Sequence, residues 1–111
     1  MKSTFVVAVA AIAGCLALSI ACPAAAADAA AGKQKSQPCA ACHGADGNSA
    51  APDFPRLAGQ HYDYLVKTIA DYKTGKRKNP IMAPQVEKLT TRDIEDLAAY
   101  FSAQKGLFVK E

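Results

Sequence analysis

The sequence predicts an all-α fold in one small domain, and three observations support this prediction. Apolar residues recur with helical spacing in two segments, near residues 62–73 and 90–101. No segment alternates convincingly between apolar and polar residues, as a half-buried strand would. The 111 residues show neither an internal repeat nor an interdomain linker. We therefore expect helices and loops around a single core.

The first half of the chain is predicted to hold two helices separated by a loop. Residues Ala29–Gln37 are expected to form the first helix. Gly44–Gly59 is rich in Gly, Pro, Ser and Asn, which is typical of a loop. Tyr62–Lys73 is the second helix, and its apolar residues at i, i+4 and i+7 make one face. Gly75 is the expected stop signal.

The second half is predicted to hold an irregular segment and a last helix. Lys76–Lys88 contains two prolines and is expected to be irregular. Thr90 begins the last helix, and Asp93 three residues later makes a variant of the capping box. Gly106 is expected to end it. The inner stripe of this helix consists of Ile94, Leu97, Ala98 and Phe101.

The N-terminus has the pattern of a secretion signal. Lys2 precedes the uncharged apolar run Phe5–Ile20, Pro23 breaks it, and Ala25–Ala27 forms an A-x-A cleavage site before Asp28. We predict that residues 1–27 are a cleaved signal peptide and that residues 28–111 form one exported, periplasmic domain. Two alternatives are a retained anchor, for which the apolar run is short, and lipoprotein cleavage at Cys15, which lacks the usual polar tether.

Cleavage would leave 84 residues with a net charge of +2, and nothing in this composition indicates nucleic-acid binding. No membrane insertion is expected after cleavage.

The run Cys39-Ala40-Ala41-Cys42-His43 is a C-x-x-C-H motif, the attachment site of a c-type haem. Two thiols on one helical turn can each add to a vinyl group of one haem, and the adjacent imidazole of His43 can bind the iron. An exported cysteine pair could instead form a disulfide. A zinc site lacks ligands, and a thioredoxin-like site would need a βαβ pattern.

A His-ligated haem iron has a second axial position, and Met82 is the candidate ligand for it. Met82 is the single methionine of residues 28–111 and lies between two prolines, in Asn79–Pro84. Its thioether would raise the potential relative to bis-His ligation. His61, the other histidine, is the alternative ligand, although an exposed position at the start of the second helix is the favoured interpretation.

With Cys39, Cys42, His43 and Met82 placed, the chain resembles class I c-type cytochromes of the small single-haem bacterial kind, similar to one half of the two-haem periplasmic cytochromes. The stretches that carry the resemblance are Ala31–Lys33, Cys39–Gly44, Phe54–Gln60 and Asp93–Phe101. The resemblance implies an all-α cytochrome c fold wrapped around one covalent haem c.

The resemblance also implies three contacts. Gly32 is expected to pack closely against an aromatic residue of the last helix, Tyr100 or Phe101. The carbonyl of Pro55 is expected to accept the Nδ1 proton of His43. Asn79 is expected to orient the sulfur of Met82.

The predicted function is a soluble periplasmic electron carrier, not an enzyme, that exchanges electrons with redox proteins of a respiratory chain. The alternatives are an electron-transfer subunit of a larger dehydrogenase or oxidase, and a haem ligand sensor or peroxidase if Met82 does not bind the iron. A basic cluster precedes the Met82 segment and is interpreted either as a solvated helix end or as a docking rim for an acidic partner. Its members are Lys73, Lys76, Arg77 and Lys78.

Overall fold

The computed structural model describes residues 24–106, and this part of the chain is helical without a strand. The predicted all-α class is confirmed. Most of the predicted signal peptide lies outside the described residues, and no described helix is long and apolar enough to cross a membrane. The five helices are α1 (Ala29–Lys35), α2 (Gln37–His43), α3 (Tyr62–Thr74), α4 (Met82–Val86) and α5 (Thr91–Ser102).

The single helix predicted over Ala29–Gln37 is two helices, so this prediction was wrong at its C-terminal end. The chain breaks at buried Ser36, whose Oγ donates a hydrogen bond to the Lys33 carbonyl at 2.8 Å. Pro38 explains the break, because proline has no N–H to donate and its ring clashes with a carbonyl one turn earlier. The chain starts α2 afresh with this proline in its first turn, where it is tolerated.

Helix α3 begins at the predicted residue and extends one residue further than predicted. Gly75 caps its end with φ of 76°, the left-handed conformation that glycine adopts without a steric penalty, and its N–H donates to the Tyr72 carbonyl at 3.3 Å. This arrangement stops the helix where the sequence predicted.

The segment Lys76–Lys88, predicted to be irregular, contains the five-residue helix α4. The side-chain Oδ1 of Asn79 accepts hydrogen bonds from the N–H groups of Ile81 (2.9 Å) and Met82 (3.0 Å) and so starts the turn. Pro84 lies in the first turn of α4, where the missing N–H costs no helical hydrogen bond. The prediction of an irregular segment was therefore wrong at Met82–Val86, because a proline in the first turn does not interrupt a short helix.

Helix α5 starts with the predicted capping box. The N–H of Asp93 donates to Thr90 Oγ1 at 3.1 Å, and Asp93 Oδ2 accepts from the Thr90 N–H at 2.8 Å. The helix ends at Ser102, before the predicted stop at Gly106. Beyond the helix, the Lys105 carbonyl accepts a hydrogen bond at 2.8 Å from Asn48 Nδ2 of the long loop, residues 44–61, which joins α2 to α3.

Helix α1 crosses α5 at Gly32, where the two backbones nearly touch. A Cβ atom on Gly32 would lie 1.9 Å from the Asp96 carbonyl oxygen and 2.9 Å from Tyr100 Cβ. The predicted contact with the last helix is confirmed with Tyr100. Phe101 instead reaches the long loop, where its carbonyl accepts from the Gly59 N–H at 2.9 Å.

A charged cluster that the sequence did not reveal holds this crossing together. Asp96 is 2% exposed and accepts hydrogen bonds from Lys35 Nζ (2.7 Å) and from the backbone N–H of Asp28 (2.8 Å). It also forms an ion pair with Arg92, whose Nε lies 3.0 Å from Asp96 Oδ1. Lys35 also pairs with Asp93 at 2.8 Å. Its hydrogen bond, helped by the Thr90 N–H, lowers the pKa of Asp93 to about 2. Lys35 and Thr90 hence keep this carboxylate ionised in mild acid.

Candidate functional site

The two cysteines and the histidine of the C-x-x-C-H motif share the short helix α2. Cys39 and Cys42 are half-buried free thiols one turn apart, and Cys39 packs against the core. Burial raises the pKa of the Cys39 thiol. His43 is the last residue of α2 and is 6% exposed. The helix thus places all three side chains along one edge of the core.

The imidazole of His43 is held in one tautomer. Its Nδ1 lies 2.7 Å from the Pro55 carbonyl oxygen, which can only accept, so Nδ1 carries the proton. The predicted contact with Pro55 is confirmed. The Phe54 ring meets the imidazole edge-on at 6.5 Å between centroids. In the neutral ring this leaves the lone pair on the other nitrogen, Nε2, which can then bind a metal ion.

These side chains line a cavity of about 430 Å³. Met82, the first residue of α4, lines the same cavity and is half-buried. The cavity thus brings the C-x-x-C-H motif, residues 39–43, together with Met82, which lies 39 residues after His43 in the sequence. Its apolar lining includes Leu57, Leu65, Ile69, Val86, Leu89 and Leu97, and its cationic lining residues are Lys35, Arg56 and Arg77.

This lining fits a haem. An apolar wall suits the macrocycle, the two thiols suit its vinyl groups, and cations suit its two propionate carboxylates. One imidazole nitrogen with a free lone pair and one thioether complete a donor set for iron. The residues predicted from the sequence are therefore brought together, with a volume typical of a cofactor pocket.

Asn79 shapes the segment that carries Met82 through the backbone. The contacts that the structure gives for its side chain are those to the N–H groups of Ile81 and Met82. Asn79 therefore positions the backbone of the residue that bears the sulfur. The sequence predicted the residue but not this route.

The alternatives to haem and to Met82 find no support among residues 24–106. His61 is exposed at the N-cap of α3 and is not among the residues that line the cavity. No group of three or more His, Cys, Asp or Glu side chains in this part of the chain could hold a metal ion. The disulfide alternative is not formed, since both thiols are free.

Arg77 has a role at the site that sequence reasoning missed. The sequence indicates only that Arg77 belongs to a basic cluster. In the structure its guanidinium carbon lies 5.1 Å from the centre of the Tyr72 ring, and the residue lines the cavity. Its hydrogen bond lowers the pKa of exposed Tyr64. No local sequence pattern predicts this stacking, because it depends on the turn that the chain makes at Gly75.

The comparison with protein families agrees with this site. A site with paired thiols and an adjacent imidazole defines a c-type haem protein, and the family model described as cytochrome c matches residues 29–105. The chain belongs to the cytochrome c family and carries a covalently bound haem c.

Three curated relatives and one solved structure show where in the family the chain lies. It is 54% identical over 81 residues to cytochrome c4 of Pseudomonas aeruginosa, covering 73% of this chain and 40% of that protein. It is 46% identical to cytochrome c-554(548) of Halomonas halodenitrificans, covering 70% of this chain and 98% of the relative. It is 44% identical over 66 residues to a thiosulfate dehydrogenase electron acceptor of Stutzerimonas stutzeri, covering 59% of this chain and 31% of that protein.

The crystal structure of reduced recombinant cytochrome c4 from Pseudomonas stutzeri superposes with a TM-score of 0.71 at 48% identity, covering 74% of this chain and 48% of that one. The chain spans about half or less of the length of the cytochromes c4 that it matches. It therefore corresponds to one domain of these relatives, and the predicted cytochrome c fold is confirmed.

Proposed function

We propose that this protein is a periplasmic electron carrier whose haem is attached through Cys39 and Cys42 and whose iron is bound by His43 and Met82. The observation that carries the proposal is that the imidazole of His43, with its Nδ1 on the Pro55 carbonyl, and the thioether of Met82 line one apolar cavity beside both thiols. When bound, the haem supplies a one-electron couple between ferric and ferrous iron.

The protein's own residues make this site suited to transfer rather than to catalysis. The Pro55 carbonyl holds His43 in place and makes its Nε2 a better donor. The Asn79 turn holds Met82 at the start of α4. If His43 and Met82 both bind the iron, no position would remain for a substrate, and little rearrangement would be needed as the charge changes.

The mouth of the cavity gives a redox partner access. Tyr64 and Ile81 line the cavity and are 50% and 58% exposed, respectively. Contiguous apolar surface is typical of contact sites between proteins, and we propose that these two side chains belong to such a surface. A donor or acceptor protein that covers them would come close to the haem edge.

The domain organisation is part of the proposal. We propose that export removes residues 1–27 and leaves residues 28–111 as one domain in the periplasm. The A-x-A pattern at Ala25–Ala27 supports the cleavage position, and the cytochrome c match starts just after it, at residue 29.

Absorbance spectroscopy of the purified holoprotein tests the ligation. We expect a near-infrared band of the ferric protein that is characteristic of methionine–iron ligation. We also expect that the ferrous spectrum will not change when carbon monoxide is added. If the near-infrared band is missing and carbon monoxide changes the ferrous spectrum, one axial position of the iron is open. That result would favour the sensor or peroxidase alternative.

Removal of the thiols should show how the haem is attached. Acid–acetone extraction is expected to leave the haem on the wild-type protein, because thioether bonds survive it. The variant Cys39→Ala/Cys42→Ala is expected to lose its haem to the extract. Single variants are expected to keep one bond and a shifted haemochrome band. Complete release of haem from the wild type would contradict covalent attachment.

A second candidate function is an electron-transfer partner or subunit of a dehydrogenase, which the thiosulfate dehydrogenase electron acceptor among the relatives favours. The site chemistry would be the same, and the difference lies in assembly. Size-exclusion chromatography of the native periplasmic protein distinguishes the two. Co-elution with a larger subunit would favour this candidate.

The basic cluster Lys73, Lys76, Arg77 and Lys78 should raise the rate of electron transfer with anionic partners. Lys73 and Arg77 have structural contacts, with the Glu87 carbonyl and the Tyr72 ring. The informative variant is therefore Lys76→Gln/Lys78→Gln. Oxidation by ferricyanide in a stopped-flow instrument is expected to slow roughly twofold or more at low salt and to depend less on ionic strength.

The matched control is Lys33→Gln/Lys105→Gln, which removes the same charge from exposed lysines that do not line the cavity. If both variants slow the reaction equally, only the net charge matters. The cluster would then be a solvated helix end.

A further inference from the structure

In the uncut chain, the cluster built around the Asp96 carboxylate contains more negative than positive charge. Asp96 Oδ1 accepts a hydrogen bond from the Asp28 amide at 2.8 Å and pairs with Arg92, whose Nε lies 3.0 Å away. Asp96 Oδ2 accepts a hydrogen bond from Lys35 Nζ at 2.7 Å. Asp93 shares Lys35. The cluster contains Asp28, Asp93 and Asp96 against two cations, so it lacks one positive charge.

The missing cation can come from the peptide bond that export is proposed to cut. We propose that the α-ammonium group of Asp28, released when the leader is removed after Ala27, forms an ion pair with Asp96 and completes this cluster. The inference rests on the processing step of the proposed function. It assigns a structural role to the mature amino terminus.

The chemistry requires water and the peptidase that removes secretion signals. Hydrolysis breaks the bond between the Ala27 carbonyl carbon and the Asp28 nitrogen. The hydroxyl of water goes to the Ala27 carbonyl, and its proton goes to the nitrogen, which takes a second proton from solvent. The nitrogen stays bonded to the Asp28 Cα. It therefore remains at the position from which the amide already donates to Asp96 at 2.8 Å.

The surroundings hold this nitrogen in place without the leader. The side chain of Asp28 caps α1, with its Oδ1 accepting from the N–H groups of Ala30 (2.8 Å) and Ala31 (3.2 Å). The Asp28 carbonyl accepts from the Gly32 N–H at 2.9 Å. An ammonium at a helix N-terminus is ordinarily unfavourable, but here the carboxylates of Asp28 and Asp96 offset the helix dipole.

Cleavage would also change the contacts of Arg92. Its guanidinium donates hydrogen bonds to the carbonyls of Ala25 and Ala26, which leave with the leader, while its Nε lies in the ion pair with Asp96. Cleavage would free the two terminal nitrogens and add a new cation beside the same carboxylate. The leader contacts are thus exchanged for an ion pair within the mature domain.

The pair has a defined pH signature. A carboxylate partner favours the charged amine, so the α-amine should titrate above its ordinary range of roughly 7.7–8.0. The groups facing it are Asp96, Asp93 and Arg92 of α5, Lys35 of α1, and its own Asp28 side chain. Because its pKa would be raised in the folded state, the stabilisation is complete below the unfolded pKa and is lost as pH rises through the folded one.

The experiment compares two haem-loaded chains, one beginning at Asp28 and one beginning at Ala27. The extension keeps an amide at Asp28 but moves the ammonium one residue away. We expect the α-amine of the first chain, followed by NMR, to titrate above that of the second. We also expect a higher Tm for the first chain at pH 6 and equal Tm values at pH 10.

Substitutions assign the partner. Asp96→Asn is expected to return the α-amine titration to its ordinary range. The matched control, Asp93→Asn, removes a carboxylate that pairs with Lys35 but does not contact the Asp28 nitrogen, and it is expected to leave most of the shift. If the Asp96→Asn protein does not fold, the comparison of the chain that begins at Asp28 with the chain that begins at Ala27 still tests the ion pair. Ordinary titration of the Asp28 amine and equal Tm values at pH 6 would overturn the proposal.

The intact mass of the protein exported by its native host separates this inference from the processing step. A mass that includes residues before Asp28 would overturn both. A mass that starts at Asp28, with an α-amine that titrates ordinarily, would leave the processing intact and overturn only the ion pair.

Discussion

Replacement of Met82 by histidine is expected to lower the midpoint potential by on the order of 0.1–0.3 V, within the roughly 0.8 V that axial ligation spans. Imidazole stabilises ferric iron better than a thioether does, so the ferrous state becomes harder to reach. The near-infrared band of methionine–iron ligation should disappear at the same time. Spectroelectrochemistry of the holoprotein measures both changes.

His61→Gln is the matched control for this change, because His61 is the other non-motif candidate ligand and is exposed outside the cavity. It is expected to leave both the midpoint and the band unchanged. An unchanged midpoint in Met82→His would mean that Met82 only packs against the cavity. A changed midpoint in His61→Gln would reinstate bis-His ligation.

Substitution of Gly32 by alanine is expected to destabilise the fold by about 3 kcal/mol or more. Alanine is favoured over glycine inside a helix by about 1 kcal/mol, so local preference alone predicts the opposite sign. The added Cβ would lie 1.9 Å from the Asp96 carbonyl oxygen and 2.6 Å from its carbonyl carbon. Both are backbone atoms, so α1 must move away from α5.

Denaturant unfolding of the holoprotein, followed by far-UV circular dichroism, measures this loss. Gly75→Ala is the control, because nothing lies within 4 Å of the position that its methyl group would occupy and only the left-handed φ of 76° is strained. We expect it to cost about 1–2 kcal/mol. A Gly32→Ala protein as stable as the wild type would show that the two helices do not approach as closely as described.

The features that the sequence predicted correctly depend on neighbouring residues. The capping box of Thr90 and Asp93 is complete within four residues, and the stop at Gly75 depends on one residue's φ. The C-x-x-C-H spacing places two thiols on one helical turn whatever surrounds it. Local chemistry determines such features, so one sequence is enough to predict them.

The resemblance to a family supplied contacts that local patterns could not. Residues 43 and 55, and residues 32 and 100, are far apart in sequence, and no periodicity relates them. Their contacts were predicted only as properties of a family fold. The structure adds the physical content: a 2.7 Å hydrogen bond that sets the tautomer of His43, and a backbone approach at Gly32 that leaves no room for a Cβ.

The sequence by itself determined the helical class, the haem attachment motif and the candidate axial ligands, because each follows from residue type and spacing. The tertiary structure alone decided that Asp96 is buried among Lys35, Arg92 and the Asp28 nitrogen, and that Arg77 lines the cavity. Burial and ion pairing depend on which distant surfaces meet. Which surfaces come into contact depends on how α1, α3 and α5 pack against one another, and this cannot be predicted from any single segment.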